Sequence, residues 1–426
     1  MSPMALQSLE RQVKLWVYCP KGGNMTETAV TPEGVPVITA DPFSLENLAE
    51  PHTLHEQLRE AGPVVRLASY GIWGMARYEQ VNAALKDWET FSSASGAGLS
   101  DFRKEKPWRV PSLLLEADPP AHTYAREVVS PILAPPALRA LRAGFEREAD
   151  VLVDRLVALG SFDAVTQLAE AYPLKVFGDA VGLPAGDRQN LLPYANMVFN
   201  AFGPRNQLLE AAMADAQVVQ QWIAARCRRE ALRPGSFGAQ IWAAVDAGKI
   251  PEDWAPLLVR SLLSAGLDTT INAIAAAIYA LASHPDQWSL LRQNPSLAAS
   301  AFEETVRWES TVQTFFRTTT REVEVAGVRI PAGEKVLLFL GSANRDPRRW
   351  SDPDRFDIKR NASGHVGFGM GIHRCVGQTV ARVEAEIVLA ALARRVERIE
   401  LAGQPQRKLN NTLRAWSGLP VTVYTV

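Results

Sequence analysis

The chain has 426 residues, 47% of them hydrophobic, enough to bury a large core as one big domain or as two fused layers. Its 45 Lys and Arg nearly balance its 46 Asp and Glu, so bulk charge gives no reason to expect nucleic acid or an anionic membrane as partner. Three cysteines, Cys19, Cys227 and Cys375, are too few and too scattered for a disulfide framework and point to a reducing compartment.

In chain order, residues 1–24 precede a second plausible start at Met25, after which TETAVTPEGVPVITADPFS is a polar leader. Lys21-Gly22-Gly23-Asn24 can be encoded by purine-rich codons resembling a bacterial ribosome-binding site, so Met25 is the expected natural start. Near the N-terminus LWVY is interrupted by Lys14 and Pro20 and makes no signal-peptide core, so a cytoplasmic protein is expected. Residues 1–38 are expected to be a partly disordered leader and 39–426 a single domain. PVVRLASYGIWGMARY, 63–78, predicts a hairpin, being aromatic and β-branched about a central glycine. Helical spacing without internal breakers runs through 136–159, 205–232, 254–283 and 377–397, with Pro256 allowed in a first turn. The longest apolar tract, AIAAAIYALA at 273–282, is too short alone to span a membrane. EVEVAGVRIPAGEKVLLFL, 322–340, and the ending TLRAWSGLPVTVYTV are two further β-rich pieces. The expected fold is mainly α with small β-sheets at one side.

Cys227, between Arg226 and Arg228 in a helical run, is expected to be a small buried hydrophobe. Cys375 differs, because it ends GFGMGIHRCVG, 367–377, among glycines that permit tight turns and a close backbone approach to something flat. The helix that follows places it just before free N–H groups, which favour a thiolate and hence a metal ligand or a nucleophile. Zinc fits poorly, since no second Cys is near and His365 with His373 does not complete a tetrahedral set. A Cys–His hydrolase stays open, although no separate orienting pair stands out beside His373. Haem requires one protein ligand on its proximal side, for which one Cys suffices.

Phe368-Gly369-Met370-Gly371-Ile372-His373-Arg374-Cys375-Val376-Gly377 resembles the haem-binding loop of cytochrome P450, with Phe seven before the Cys, Gly four before it and Gly two after. Three further blocks fall in that family's order and extend the resemblance over essentially the whole chain after about residue 40. Glu304-Thr305-Val306-Arg307 matches its E-x-x-R helix; on a surface such a pair is worth tenths of a kcal/mol, whereas the resemblance implies a buried structural network. SAGLDTT, 264–270, matches the distal helix over the iron, where Ala265 and Gly266 make room for oxygen and Asp268 and Thr269 are the acid–alcohol pair that handles protons. ADPPAHTYAR, 117–126, starts a helix with His122 and Arg126 on one face. The resemblance gives that face to a haem propionate and Arg317 and His373 to the other, with Phe368 and Gly369 against haem b and Cys375 on its iron. It implies the P450 fold, a helix-rich triangular prism with a smaller β-rich region.

Arg260 and Ser261 are out of character in the apolar distal run, since an unpaired Arg there costs several kcal/mol. Ser261, Ser264, Ala265, Asp268 and Thr269 share one broad helical face, with Ser261 about 12 Å along the axis from Thr269 at ~1.5 Å per residue. An anion held near Arg260 and Ser261 would reach the iron if its body were one aromatic ring long, with its para substituent foremost. LLVRSLLSAGLDTT and QTFFRTTTREVE, with the stretch before the propionate helix, look very like bacterial P450 enzymes that oxidise para-substituted benzoic acids, for example by 4-methoxybenzoate O-demethylation. That resemblance assigns Arg109, Ser112, Arg260 and Ser261 to the carboxylate, and Leu115, Val198, Phe199, Phe202, Ala265, Val312 and Phe315 to the ring. Thr311 departs from the Pro usual after the Glu-Ser pair, which bears on pocket width.

Arg374, Arg345, Arg348 and Arg349 suggest a basic face for an acidic donor, an iron-sulfur ferredoxin served by a flavin-dependent NAD(P)H reductase. The chain shows no flavin or nicotinamide domain of its own, so such a partner is expected for an O2-using monooxygenase, and a monomer is the expected state. Cinnamic acids or phenolics are the alternative substrates. A peroxide-driven enzyme would usually lack the acid–alcohol pair, and a non-catalytic haem sensor would need signalling or DNA-binding segments that are not seen.

Overall fold

The computed structural model describes residues 14–16, 27–30 and 34–425; Met25 and most of the expected leader lie outside them. Two long helices frame the molecule. Pro135–Leu159 begins on Pro at its first turn, where a missing N–H costs nothing, and ends at Gly160 with a φ of +73°. Gln378–Arg395 packs along it and also against Ala298–Trp308, burying a continuous apolar face. Asp268–Ser283 runs through the same core.

The run expected as one distal helix is two, Trp254–Ala265 and Asp268–Ser283. Gly266 and Leu267 interrupt it, and the Thr269 hydroxyl donates to Ala265 O at 3.0 Å. By length and composition Trp254–Ser283 could cross a membrane, but its apolar window is 78% buried inside the protein, as befits a core element. The run expected over 205–232 also divides, into Gln207–Ala212 and Ala216–Arg226. In the second only Val219 and Ile223 are buried, too narrow a stripe to carry one helix through.

The hairpin over 63–78 is present as Val65–Leu67 against Ile72–Met75. It joins an eight-stranded sheet through a parallel pairing of Ile72–Met75 with Lys335–Phe339, which in turn pairs antiparallel with Thr314–Thr319. Thr314–Thr319 decides how the sheet meets the site. Alternation sends Phe316 into the core around Phe43 and Leu337, and turns Phe315 and Arg317 together to the other side. The C-terminal β-rich piece bridges two sheets: Ala415–Gly418 pairs with Gln406–Lys408, and Pro420–Thr425 with Val396–Leu401 and Ser161–Asp163.

Candidate active site

The loop before Gln378–Arg395 is closed on itself by Cys375 N–H donating to Phe368 O at 2.8 Å. Gly369 and Gly371 have φ of +66° and +67°, a region that L side chains avoid. A Cβ on Gly371 would also lie 2.6 Å from Leu85 O, and one on Gly367 2.5 Å from Val306 Cγ1. Contacts within the protein, beyond any approach to a flat ligand, therefore require two of the four glycines. Burial pushes the Cys375 thiol up, against the Gly377 and Gln378 N–H groups and the charges of Arg126 and Arg382. The helix start thus opposes the burial of this thiol without outweighing it.

Cys375 lines a cavity of about 220 Å³. Arg109, Ser112, Leu115, Arg126, Val198, Phe199, Phe202, Ser261, Ser264, Ala265, Thr269, Val312, Phe315, Arg317, Phe368, Gly369 and His373 line it too. His122, Arg260, Asp268, Glu304 and Arg307 do not.

The group around Cys375 has donors without acceptors. The His122 and His373 rings meet edge to face at 4.6 Å, and the Nε2 of each is buried with no hydrogen-bond partner. His373 Nδ1 lies 3.2 Å from Leu114 O, while its Nε2 stands 3.5 Å from Asp118 Oδ1 without hydrogen-bond geometry. Burial, with His373 and Arg126 adding to it, holds His122 down at about 4 and therefore neutral. Arg317 is 3% exposed and its Nη1 donates to Phe316 O. Burial lowers it to about 10, still charged at neutral pH. Buried donors left this way are costly unless a ligand accepts from them. Two imidazoles and the guanidiniums of Arg126 and Arg317 fit a pair of carboxylates, and a lone cysteine between them fits an iron, so the cradle suits haem b. Bound there, a thiolate-ligated haem supplies the O2 activation that no side chain provides.

On the opposite wall Thr269 faces the cavity while Asp268 is 5% exposed and turned behind it. Burial pushes the Asp268 carboxyl up, with Lys408 and the Asn272 amide opposing. Asn272 Nδ2 donates to Asp268 O at 2.8 Å and stands 3.3 Å from its Oδ1. Gly266 lines the cavity as well, beside Phe177, whose ring would lie 2.3 Å from a Cβ at that position.

At the polar end, Ser112 Oγ and Ser261 Oγ are 3.1 Å apart, joining the loop of Arg109 to the distal helix. Arg260, expected at an anion, instead donates from Nη2 to Val110 O at 2.6 Å and clamps that loop from outside. Arg109 is ion-paired with Glu116, Nη2 to Oε2 at 3.0 Å. Between the two polar ends the walls are apolar, with Phe199, Phe202 and Phe315 edge to face at 5.9 and 5.6 Å.

Residues 252–420 match the family model "Cytochrome P450". Over 389 residues, 91% of this chain and 94% of the relative, the sequence is 60% identical to cytochrome P450 CYP199A2 of Rhodopseudomonas palustris. The chain belongs to the cytochrome P450 family. Cytochrome P450 107B1 of Saccharopolyspora erythraea is 34% identical over 83% of this chain and 89% of its own. Among solved structures, cytochrome P450 CREJ in complex with (4-ethylphenyl) dihydrogen phosphate superposes with a TM-score of 0.81 at 26% identity, covering 90% of this P450 and 99% of CREJ. CYP109Q5 from Chondromyces apiculatus gives 0.77 at 30%, covering 92% and 99%. As a bacterial P450 the chain is a haem-thiolate monooxygenase of the kind that draws electrons from ferredoxin and reductase partners.

The basic face expected for such a donor is smaller than the sequence suggests. Arg345 is 7% exposed and bound to Trp308 O and Asp354, and Arg348 is paired with Glu60 and Asp346. Arg348, Arg349 and Arg374 remain exposed, the first with its charge offset by two acids. Sequence reasoning also passed over Glu116, Asp118 and Phe177. The signal for the first was there, an acid directly after the apolar run LLL and seven residues from Arg109.

Proposed function

We propose that this P450 oxidises the para substituent of a benzoate-like aromatic acid, by O-demethylation or hydroxylation. What carries the reading is a cavity polar at both ends and aromatic between: Arg109, Ser112 and Ser261 at one end, Cys375 at the other. A flat acid held by its carboxylate at the first end would fill the phenylalanine-walled space and turn its para position towards the second. The 60% identity to CYP199A2 supports a shared pocket. CREJ, with a para-alkyl arene carrying an anionic head group as ligand, offers a parallel in overall plan. Asp268, its carboxyl pushed up by burial behind the cavity-facing Thr269, is suited to take up a proton and pass it to the distal side.

The test is a titration of the haem-loaded ferric protein with 4-methoxybenzoate and with its methyl ester. The acid is expected to shift the haem towards high spin and the ester to leave it unchanged; equal shifts would remove the carboxylate clamp. Reduced protein with carbon monoxide should absorb at the thiolate position, and a histidine-type band would contradict Cys375 as ligand.

A further inference from the structure

Glu116 does not line the cavity but stands behind its polar end, paired with Arg109, and has no part in the proposed reaction. Its side chain is 5% exposed and that of Arg109 8%, with Nη2 and Oε2 3.0 Å apart. The same Oε2 accepts the Ser112 N–H at 2.8 Å. The residues that would hold an incoming carboxylate thus already hold an internal one.

Charge decides what this does. Arg260 is close enough for Arg109 to oppose its charge and Glu116 to support it, burial being the larger effect. Tyr194 and Cys227 face the same group, and burial pushes the tyrosine up and the Cys227 thiol up to about 12, so both are neutral. Lys335, lowered to about 8 by burial, also acts on Glu116, but its ammonium is held on the Ser95, Gly96 and Gly98 carbonyls and does not line the cavity, so at the clamp itself two guanidiniums less one carboxylate leave a single positive charge. One carboxylate entering the site brings it to neutrality, whereas a dianion leaves a buried negative charge without a counterpart, at several times the cost it would have in water.

We infer that Glu116 is a specificity-determining residue that restricts this pocket to monoanionic aromatic acids and turns away dianionic head groups such as aryl phosphates. The inference rests on the proposed carboxylate clamp and adds a selectivity to it.

Three para-ethyl ligands separate charge from shape: the benzoate, the benzenesulfonate and the phenyl phosphate. The sulfonate is a tetrahedral monoanion, and at pH 8 the phosphate, of similar shape, is mostly a dianion, its second pKa being about 6. Affinities are read by calorimetry and by the ferric spin-state shift of the haem-loaded protein. The wild type is expected to bind benzoate and sulfonate and to bind the phosphate at least about tenfold more weakly. Glu116→Gln is expected to raise the phosphate-to-sulfonate affinity ratio about tenfold, while Glu116→Asp, which keeps the charge, keeps the wild-type ratio. A merely structural role would weaken both tetrahedral ligands alike and leave the ratio unmoved. If Glu116→Gln loads haem poorly, Glu116→Met, of similar volume, removes the same charge and carries the same expectation. Rejection of sulfonate as strong as that of phosphate in the wild type, or an unchanged ratio in the neutral variants, would overturn the inference. Failure of the clamp itself shows separately, as equal wild-type affinity for 4-ethylbenzoate and its methyl ester.

Discussion

Arg307 and Glu304 show how far one pair of residues can be misjudged without burial. By spacing they are an ordinary i, i+3 pair, yet both side chains are 0% exposed, joined at 2.7 Å. Arg307 also donates to the carbonyls of Asn344, Pro353 and Arg355, and Glu304 accepts from Asp357 N and Arg360. The pair therefore ties the Ala298–Trp308 helix to the 344–360 segment. Removing one partner strands a buried charge, so Arg307→Met is expected to cost about 3–5 kcal/mol and to abolish stable haem loading, read as carbon-monoxide-binding haem per purified protein. Arg109 and Arg260 are separated by similar accounting. The first lines the cavity and the second holds a loop from outside, so Arg109→Ala should weaken 4-methoxybenzoate binding by one to a few kcal/mol and Arg260→Ala by less. In the Arg109 variant Glu116 becomes an unpaired negative group beside the ligand, and adding Glu116→Gln should recover part of the loss. At Asp268, the isosteric Asp268→Asn keeps the Asn272 contact but removes the titratable acid, so kcat should fall about 10²-fold with the spin-state titration unchanged.

The turn after Leu191–Asn200, which brings Phe202 to the cavity, is held by two segments that do not line it, through interactions of a kind that sequence patterns do not carry. Leu99 N–H donates to Phe202 O at 2.9 Å, joining the loop before the Arg109 segment to the turn after Leu191–Asn200. Asn411 donates from Nδ2 to Asn200 O at 3.0 Å and to Asn206 Oδ1 at 3.1 Å, joining that turn to the C-terminal hairpin. Lys335 holds the first loop from below, its Nζ donating to the carbonyls of Ser95, Gly96 and Gly98. Long helices and the Val65–Met75 hairpin were legible because periodicity and turn residues are local. The break at Gly266–Leu267 was not, because a glycine in an apolar run reads as tolerated until Phe177 is seen to need its space. The partnership of Thr314–Thr319 with Lys335–Phe339 likewise depends on pairing across the sheet. A Cβ at Gly98 would sit 2.7 Å from Phe202 Cα and 2.8 Å from its carbonyl oxygen, backbone atoms that cannot swing aside. Gly98→Ala should therefore displace the Phe202 wall at a cost of about 1–3 kcal/mol, seen in stopped-flow as a faster release of aromatic acid more than a slower entry.

Over the whole molecule the proposed reaction would give the two sides of the cavity different partners, an aromatic acid and an electron donor, on a chain whose net charge is only −1. The polar end of the cavity was readable in part: Ser261 of the anomalous serine–arginine pair lines it, whereas Arg260 does not. The electron-accepting side was overread: four arginines near the cysteine loop look alike in sequence, but Arg345 and Arg348 spend their charge on Asp354, Glu60 and Asp346. Arg349 lies over the Trp350 ring at 4.7 Å, which fixes its plane but leaves its charge. Arg374, exposed beside Cys375, is then the group through which an acidic donor would feel this face most directly. Rim charges act on encounter more than on the docked state. Arg374→Glu is accordingly expected to slow second-order reduction by ferredoxin about tenfold at low ionic strength. The deficit should shrink as salt shortens the screening length towards ~3 Å at 1 M, because a long-range field, and no contact, has been lost. The 4-methoxybenzoate titration of the same variant reports on the far side of the haem and should match the wild type. A rate deficit that persists undiminished at high salt would instead mark Arg374 as a support of the Cys375 loop.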